Sequence, residues 1–281
     1  MISSFGRVAL ALDLLPIGVR KWDLLSLFKD PTEAAALTQD RLDQMLALLL
    51  PTHGKESPSC DLASTYVKAD EELAELQASG DSLVTIFDGP AAYPERLREC
   101  YRPPLFLEVR GDESILPHEA IAIVGSRKPT PEGLRTASDM AGQLASAGLA
   151  IISGLAYGID KAAHIGCLDA SGLTIAVLGS GIDQIYPVPH EGLAQRIIER
   201  GGAVISEFHL HTQPTPYSFP QRNRVISGLS LGVLVVEAAQ QSGSLLTAGF
   251  ALEQNREVFA IPGSIYAPQH VGTNHLIKTG A

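Results

Sequence analysis

Two patterns of hydrophobic and polar positions divide the chain near residue 80. Through residues 7–79, Leu and Ala recur at helical spacing, in the runs VALALDLL, VRKWDLLSLF, TEAAAL and RLDQMLALLL. The stretch 51–60 has no periodicity and is expected to be a loop. Asp70, Glu71 and Glu72 are expected to lie on a solvated helix face. Residues 1–79 are therefore predicted to form a small all-α domain.

From residue 80 the chain changes to short, continuous runs of apolar and β-branched residues. Most of these runs are separated by stretches of helical periodicity, a pattern typical of a parallel sheet covered on both faces. Residues 80–281 are therefore predicted to form an α/β domain with a doubly wound, mostly parallel, Rossmann-like sheet. The predicted strands are 82–87, 103–109, 120–125, 149–153, 174–179, 203–207, 231–238 and 256–263.

Composition narrows the class of protein. The chain has 281 residues and a hydrophobic content of 45%, enough to bury a substantial core. Its three cysteines (Cys60, Cys100 and Cys167) form no close pair, which argues against a disulfide scaffold or a zinc ribbon. Asp13 interrupts the first apolar run, and no segment approaches membrane-spanning length. We therefore expect a cytoplasmic protein with no signal peptide and no membrane partner.

The charge is unevenly distributed along the chain. The formal net charge is −10, which at first argues against an anionic ligand. Residues 1–118 hold 11 Lys and Arg against 19 Asp and Glu, whereas residues 119–281 hold 10 against 12. Because most of the excess acid precedes the parallel strands, a local basic groove in the second part is compatible with the overall charge.

Glycine-bearing turns follow four of the predicted strands. In open parallel sheets, ligands bind beyond the carboxyl ends of the strands. A helix that begins there presents free N–H groups and a positive dipole end to a phosphate. Each turn alone is typical of a simple tight turn, but several turns and three arginines are expected at one edge of the sheet. The turns are Gly125-Ser126-Arg127, 153–158, 179–181 and Ser242-Gly243-Ser244, and the other two arginines are Arg222 and Arg224.

Candidate catalytic groups give two interpretations. Asp160 and His164 stand four apart on a predicted helix, and Glu207 and Glu237 end two strands. These residues could form a general acid–base set. We favour a structural role, in which Asp160 caps its helix and the glutamates bond arginines or backbone N–H groups, because no nucleophile has an adjacent base. No catalytic residue is therefore assigned.

Metal and cofactor motifs are incomplete in the sequence. His209 and His211 lie two apart, but no third ligand has suitable spacing, so both are interpreted as polar loop residues. The segment 179–181 begins a dinucleotide fingerprint, but Gln184 occupies the position of the third glycine, and no GxxxxGK[ST] motif occurs. We expect no metal and no cofactor.

Several motifs, in order, resemble those of one family. They are IVGSR at 123–127, SGLAYGIDKAAH at 153–164, TIAVLGSGID and YP within 174–187, ISE at 205–207, FPQRNRVISGLS at 219–230, VVEA and SGSLLTA within 235–248, and REVFAIPG and GTNHLIKTGA within 256–281. Residues 80–281 resemble the bacterial DNA-processing protein A family (DprA, also called Smf). The helices before residue 80 resemble, more weakly, the family's small SAM-like or helix-hairpin-helix domain.

This resemblance implies a non-enzymatic protein of natural transformation. Such a protein binds incoming single-stranded DNA, loads the RecA recombinase onto it, and forms a homodimer through its C-terminal half. The turn at Ser242, Gly243 and Ser244 joins the implied DNA pocket through the strand-end argument above. The DNA-binding residues that the resemblance implies are Gly125, Ser126, Arg127, Ser153, Gly154, Gly158, Ile159, Asp160, Phe219, Arg222, Asn223 and Arg224.

The chain departs from the family's pattern in places. His190 stands where Asn is expected, and Val188 rather than a basic residue follows Tyr186-Pro187, which would remove one phosphate contact. The loop 208–218 lacks the glycine usual there. The sequence ends at Ala281, where many members continue into a winged-helix domain.

Two alternatives belong to other functional classes. A nucleotide-handling enzyme of the lysine-decarboxylase-like phosphoribohydrolase group would carry PGGxGT where this chain has QSGSLLT. A dinucleotide-binding oxidoreductase would require the missing third glycine of the fingerprint. Both are disfavoured on these grounds.

The two arginines of FPQRNR are expected to divide their roles. One would reach DNA phosphates, while the other would bond a strand-end carboxylate such as Glu207 or Glu237 and fix the loop. In an extended segment their side chains would point the same way, and in a helix they would point about 200° apart. Pro220 is expected to hold Phe219 in an extended or turn conformation.

Overall fold

The first part of the chain is helical. The computed structural model describes residues 2–17, 20–49 and 60–281. Asp30 and Asp61 begin two of the helices by accepting hydrogen bonds from first-turn N–H groups, and Gly80 ends one of them at a φ of 76°. The predicted loop at 51–60 lies, apart from Cys60, outside the described residues. The helices here are α1 (Gly6–Leu14), α2 (Arg20–Leu25), α3 (Pro31–Ala35), α4 (Gln39–Leu49) and α5 (Leu62–Ser79).

The second part is built on one eight-stranded sheet. Its strands are β1 (Ser82–Thr85), β2 (Phe106–Gly111), β3 (Ala120–Val124), β4 (Ala150–Ser153), β5 (Thr174–Val177), β6 (Ala203–Ser206), β7 (Gly232–Val235) and β8 (Glu257–Ala260). Their order in the sheet is β1-β2-β6-β5-β4-β3-β7-β8. The pairings β1–β2 and β2–β6 are antiparallel, and the others are parallel.

Helices cover the sheet and place its inner strands in the core. Every residue of β3 to β7 is buried, which is why these strands read as continuous apolar runs. The helices are α6 (Glu95–Arg98), α7 (Pro131–Ser146), α8 (Ile159–Asp169), α9 (Glu191–Glu199), α10 (Ser218–Gly228), α11 (Gly243–Glu253) and α12 (Val271–Thr279). The predicted doubly wound, mostly parallel α/β fold is confirmed. Within the described ranges, no helix combines the length and apolar character needed to cross a bilayer.

The helical part packs directly on the sheet. Leu10 and Leu12 of α1 belong to the same buried hydrophobic cluster as Phe106 of β2 and Val204 of β6. Near this contact, His209 Nδ1 lies 2.7 Å from Glu72 Oε2 of α5. The helical part and the sheet therefore share one hydrophobic cluster, and the division into two domains at residues 79 and 80 stays a prediction.

His209 and His211 lie in the loop between β6 and α10 and contact acidic side chains. His209 also lies 3.3 Å from Asp13, and His211 bridges Asp183 and Glu75 at 2.8 and 3.0 Å. Although burial lowers it, hydrogen bonding to Asp13 and Glu72 raises the pKa of His209 to about 9. Both histidines therefore tie their loop to acidic side chains, contacts that the interpretation as polar loop residues did not include. The expectation of a solvated helix face was wrong for Glu72, whose side chain is only 10% exposed.

Candidate functional site

The main cavity lies where the strand-end argument predicted, at the carboxyl edge of the parallel strands. Because β4, β3 and β7 are neighbours in the sheet, the turns that follow them meet at this edge. The cavity has a volume of about 320 Å³. It is lined by Val124, Gly125, Arg127, Ala156, Asp160, Phe219, Pro220, Arg222, Asn223, Ile226, Ser242, Gly243, Ser244, Leu246 and Thr247.

The turn after β3 brings an exposed cation to the cavity. A side chain on Gly125 would place its Cβ 2.7 Å from Ile159, so the close approach of α8 to this turn requires glycine. Arg127 is exposed, and its guanidinium carbon lies 4.9 Å from the ring centroid of Phe219, a cation–π contact. No carboxylate among the described residues forms an ion pair with Arg127. Its charge is therefore available to a ligand.

The turn after β4 is held from inside by a carboxylate. Asp160 Oδ2 accepts hydrogen bonds from the N–H groups of Gly154 at 3.1 Å and Ala156 at 3.4 Å. Burial raises the pKa of Asp160, against the opposing effects of Arg222 and these two bonds. Asp160 was expected to cap its own helix, and it instead fixes the loop before that helix.

His164 does not work together with Asp160. Its Nδ1 lies 2.8 Å from the hydroxyl of Thr174, and burial lowers the pKa of His164 to about 3, so the imidazole stays neutral. The structural interpretation of this pair is thus supported over an acid–base set.

The segment 219–230 is more helical than the sequence suggested. Phe219 and Pro220 lie in the first turn of α10, contrary to the extended or turn conformation expected for Phe219. The proline is accommodated because N–H groups of a first turn have no intrahelical partner to lose. Arg222 and Arg224 consequently point to different sides of the helix.

Arg222 lines the cavity but is buried, with a relative exposure of 4%. Its Nη1 donates to the carbonyl oxygen of Gly154 at 2.7 Å and to that of Val177, and its Nε donates to Asn223 Oδ1 at 3.2 Å. Burial lowers the pKa of Arg222 to about 10, against the attraction of Asp160. Arg222 therefore remains a cation at neutral pH and joins the ends of β4 and β5 behind the cavity.

Arg224 faces away from the cavity and pairs with a strand-end carboxylate. Its Nη2 donates to Glu207 Oε2, and its Nη1 donates to the carbonyl oxygen of Arg102 at 2.8 Å. The Arg224 and Glu207 side chains are only 15% and 5% exposed. The expectation that one of the two arginines bonds such a carboxylate is confirmed. That the other arginine contacts DNA stays a prediction.

The turn after β7 supplies a helix N-terminus to the cavity. Ser242 caps α11 by accepting a hydrogen bond from the N–H of Ser244, and Gly243 beside it is exposed. The buried Glu237, which precedes this turn, accepts hydrogen bonds from the N–H and the hydroxyl of Thr130. As expected from the sequence, Glu237 thus bonds a backbone N–H group, here at the start of α7.

The structure brings together most, though not all, of the proposed DNA-binding residues. Gly154 lines a smaller adjoining cavity with Tyr157, Tyr186 and Phe219. Leu246 and Thr247 were missed, although they share the α11 face of Gly243 at helical spacing. Nine proposed residues line the main cavity: Gly125, Arg127, Asp160, Phe219, Arg222, Asn223, Ser242, Gly243 and Ser244. Those that line neither cavity are Ser126, Ser153, Gly158, Ile159 and Arg224.

The arrangement suits an anionic ligand. An exposed guanidinium, serine hydroxyls and a helix N-terminus surround the cavity, whereas its single acidic lining residue, Asp160, is occupied by backbone N–H groups. Across the parts of the chain that the structure describes, no three His, Cys, Asp or Glu side chains are grouped to hold a metal ion.

Comparison with known proteins agrees with this fold. The family model described as "DNA recombination-mediator protein A" matches residues 83–281. The chain is 50% identical over 189 residues to Protein Smf of Escherichia coli, covering 67% of this chain but only 50% of that relative.

Two solved structures are similar along much of the chain. DNA processing protein A of Streptococcus pneumoniae superposes with a TM-score of 0.77 at 31% identity, covering 100% of this chain and 94% of that one. DNA processing protein A of Helicobacter pylori, whose structure is described as showing a unique single-stranded DNA binding mode, gives a TM-score of 0.64 at 30% identity, covering 71% and 88%.

Proposed function

Because this chain belongs to the DNA recombination-mediator protein A family, we propose that it is a DNA-processing protein and that it binds single-stranded DNA at the main cavity. We further propose that it acts without turnover, as a mediator that loads the RecA recombinase onto incoming DNA in natural transformation.

One observation carries the DNA-binding part of this proposal. Arg127 stands exposed at the cavity mouth, unpaired with any described carboxylate and stacked over Phe219. A guanidinium is suited to phosphate because its donors match the phosphate oxygens. The N-terminus of α11 adds uncharged donors to the same ligand. The negative net charge of the chain does not oppose this, since most of it lies before the parallel strands.

The shape of the site supports a single strand over a duplex. A recess of about 320 Å³ is comparable to small-molecule sites and can admit a nucleotide, but not an intact double helix. Phe219 and Tyr186, with ring centroids 5.7 Å apart, offer stacking surfaces for unpaired bases. Such stacking is available only when bases are free of a partner strand.

Competition among ligands tests this function against its enzymatic rivals. Labelled oligo-dT should bind, and ATP, NAD and AMP should displace it only weakly. The reason is that the proposed site contacts several phosphates along a DNA strand rather than the phosphates of one nucleotide. A nucleotide-handling enzyme of the phosphoribohydrolase type would show the reverse order and would consume its nucleotide. That result would overturn the proposed function.

We also propose a homodimer formed through the C-terminal half. The support is an exposed apolar surface at the sheet edge, where Phe259 of the edge strand β8 is 45% exposed and Ile265 and Tyr266 are 78% and 89% exposed. Light scattering should give twice the monomer mass of 29.8 kDa, and Phe259→Lys should shift the protein toward monomer. If the unsubstituted protein, called the parent below, is monomeric at micromolar concentration, this proposal is wrong.

A further inference from the structure

A second concave surface adjoins the main cavity and shares only Arg127 with its lining. It is a groove of about 740 Å³ along α7 and α8. Arg127, Lys128 and Lys161 line it together with the exposed rings and methyl groups of Tyr157 and Leu134. None of its lining residues is acidic.

The groove is continuous with the candidate DNA site. Arg127 lines the main cavity, the smaller cavity and the groove, and Tyr157 lines both the smaller cavity and the groove. Gly158 makes this possible, because a Cβ there would overlap the carbonyl oxygen of Ser126. The same carbonyl accepts a hydrogen bond from the N–H of Ile159 at 3.2 Å. The turns after β3 and β4 therefore form one surface.

The groove carries three positively charged side chains, those of Arg127, Lys128 and Lys161. Among the described residues, neither lysine forms an ion pair. Lys161 lies in the first turn of α8, and Lys128 precedes the N-cap of α7. A cation at a helix N-terminus is disfavoured by the helix dipole, so these positions work against stability in the free protein. Their charge is favourable when an anion occupies the groove.

Tyr157 offers a fixed flat surface beside these cations. Its side chain is 46% exposed. The ring makes an edge contact with His190 at a centroid distance of 4.9 Å, and His190 Nδ1 lies 2.7 Å from the carbonyl oxygen of Leu155. A ring held in this way can stack on a base with little loss of conformational freedom.

We propose that this groove is a second subsite for the same DNA strand, in which Lys128 and Lys161 contact phosphates and Tyr157 stacks on an unpaired base. The proposal rests on the proposed function, since the occupant is the continuation of the strand held at the main cavity. Cations and an aromatic ring together suit a single-stranded nucleic acid better than an acidic peptide, which has no bases to stack.

Affinity measured against oligonucleotide length tests this subsite. Oligo-dT of about 4 to 16 nucleotides would be titrated by fluorescence anisotropy into the parent, Lys128→Ala/Lys161→Ala and Tyr157→Ala. We expect the lysine variant to match the parent on the shortest strands. On the longest strands its log–log salt slope should be smaller by about 1.4, or about 0.7 for each phosphate contact. Tyr157→Ala should weaken binding of long strands about fivefold or more, and Tyr157→Phe should restore it.

Matched controls separate the outcomes. Lys29→Ala/Lys68→Ala removes two exposed lysines of the helical part and should bind like the parent at every length. Arg127→Ala should weaken all lengths. Equal affinity of parent and lysine variant at every length, the result expected if the groove serves a peptide, would overturn the subsite while leaving the proposed function intact. A uniform loss at every length would also overturn it. A parent that binds no oligo-dT would instead overturn the proposed function itself.

Discussion

The ion pair between Arg224 of α10 and Glu207, which follows β6, gives the sharpest test of how α10 is attached to the sheet. The change is Arg224→Ala. The side chains are 15% and 5% exposed, and Glu207 Oε1 is buried without a hydrogen-bond partner among the described residues. Removing the guanidinium would leave a buried carboxylate unpaired and would also free the carbonyl oxygen of Arg102.

The expected loss is large because breaking a buried pair costs far more than breaking an exposed one. Removal of one partner of a buried pair costs about 3 to 5 kcal/mol of the free energy of unfolding. The exposed pair of Arg135 and Asp139, at 3.6 Å with side chains 84% and 59% exposed, provides a matched control. Arg135→Ala should cost less than about 0.5 kcal/mol.

Urea unfolding followed by circular dichroism measures both effects. Adding Glu207→Gln to Arg224→Ala should recover a large part of the loss, because the neutral amide no longer requires a buried counter-charge. Single-stranded DNA affinity, measured where the variant is folded, should stay within about twofold of the parent, or about 0.4 kcal/mol. A loss below about 1 kcal/mol, or no recovery in the double variant, would show that this ion pair does not hold α10 in place.

Three further predictions concern other charged groups. Arg127→Ala should weaken oligo-dT binding and lower the log–log salt slope by about 0.7 without changing the free energy of unfolding, and an unchanged slope would exclude it from the site. The pKa of His209 is raised to about 9 in the folded protein, so its stabilisation is present below about pH 6.5 and is lost as pH rises through 9. His209→Gln should therefore remove up to ~3 kcal/mol from the pH dependence of the free energy of unfolding, measured with urea. The same pH dependence in the variant and the parent would contradict this. Asp160→Ala should lower the free energy of unfolding by about 1 to 3 kcal/mol, since two N–H groups lose their acceptor, and a nucleotide-hydrolysing activity that vanishes in the folded variant would show that the site is catalytic.

The sheet was predictable because each of its inner strands carries its own signal. The runs at 120–125, 149–153, 174–179, 203–207 and 231–238 are continuous and apolar, and in the structure β3 to β7 are buried throughout. Their alternation with helices decides the topology, and topology places the turns at one edge. Residues such as Gly125 and Gly243 could therefore be assigned to one site without knowledge of side-chain contacts.

Two of the misses share a physical cause, which is that the partners of His209 and Arg222 are distant in sequence. His209 bonds Glu72, 137 positions away, so no local spacing reveals it. Phe219 was expected outside a helix because of Pro220, but a first turn has no N–H bond for proline to remove. The orientation of Arg222, inward to Gly154, depends on how β4 and α10 pack, which a sequence pattern does not encode.

An electrophoretic shift that compares a single strand with the duplex of the same sequence shows directly whether the main cavity binds single-stranded DNA. The parent would be titrated with a single strand and with its duplex at one moderate salt concentration, alongside Arg127→Ala. We predict that the parent shifts the single strand at a much lower concentration than the duplex, and that Arg127→Ala loses most of this difference. Equal affinity of the parent for the two forms would rule out the main cavity as a selective site for single-stranded DNA.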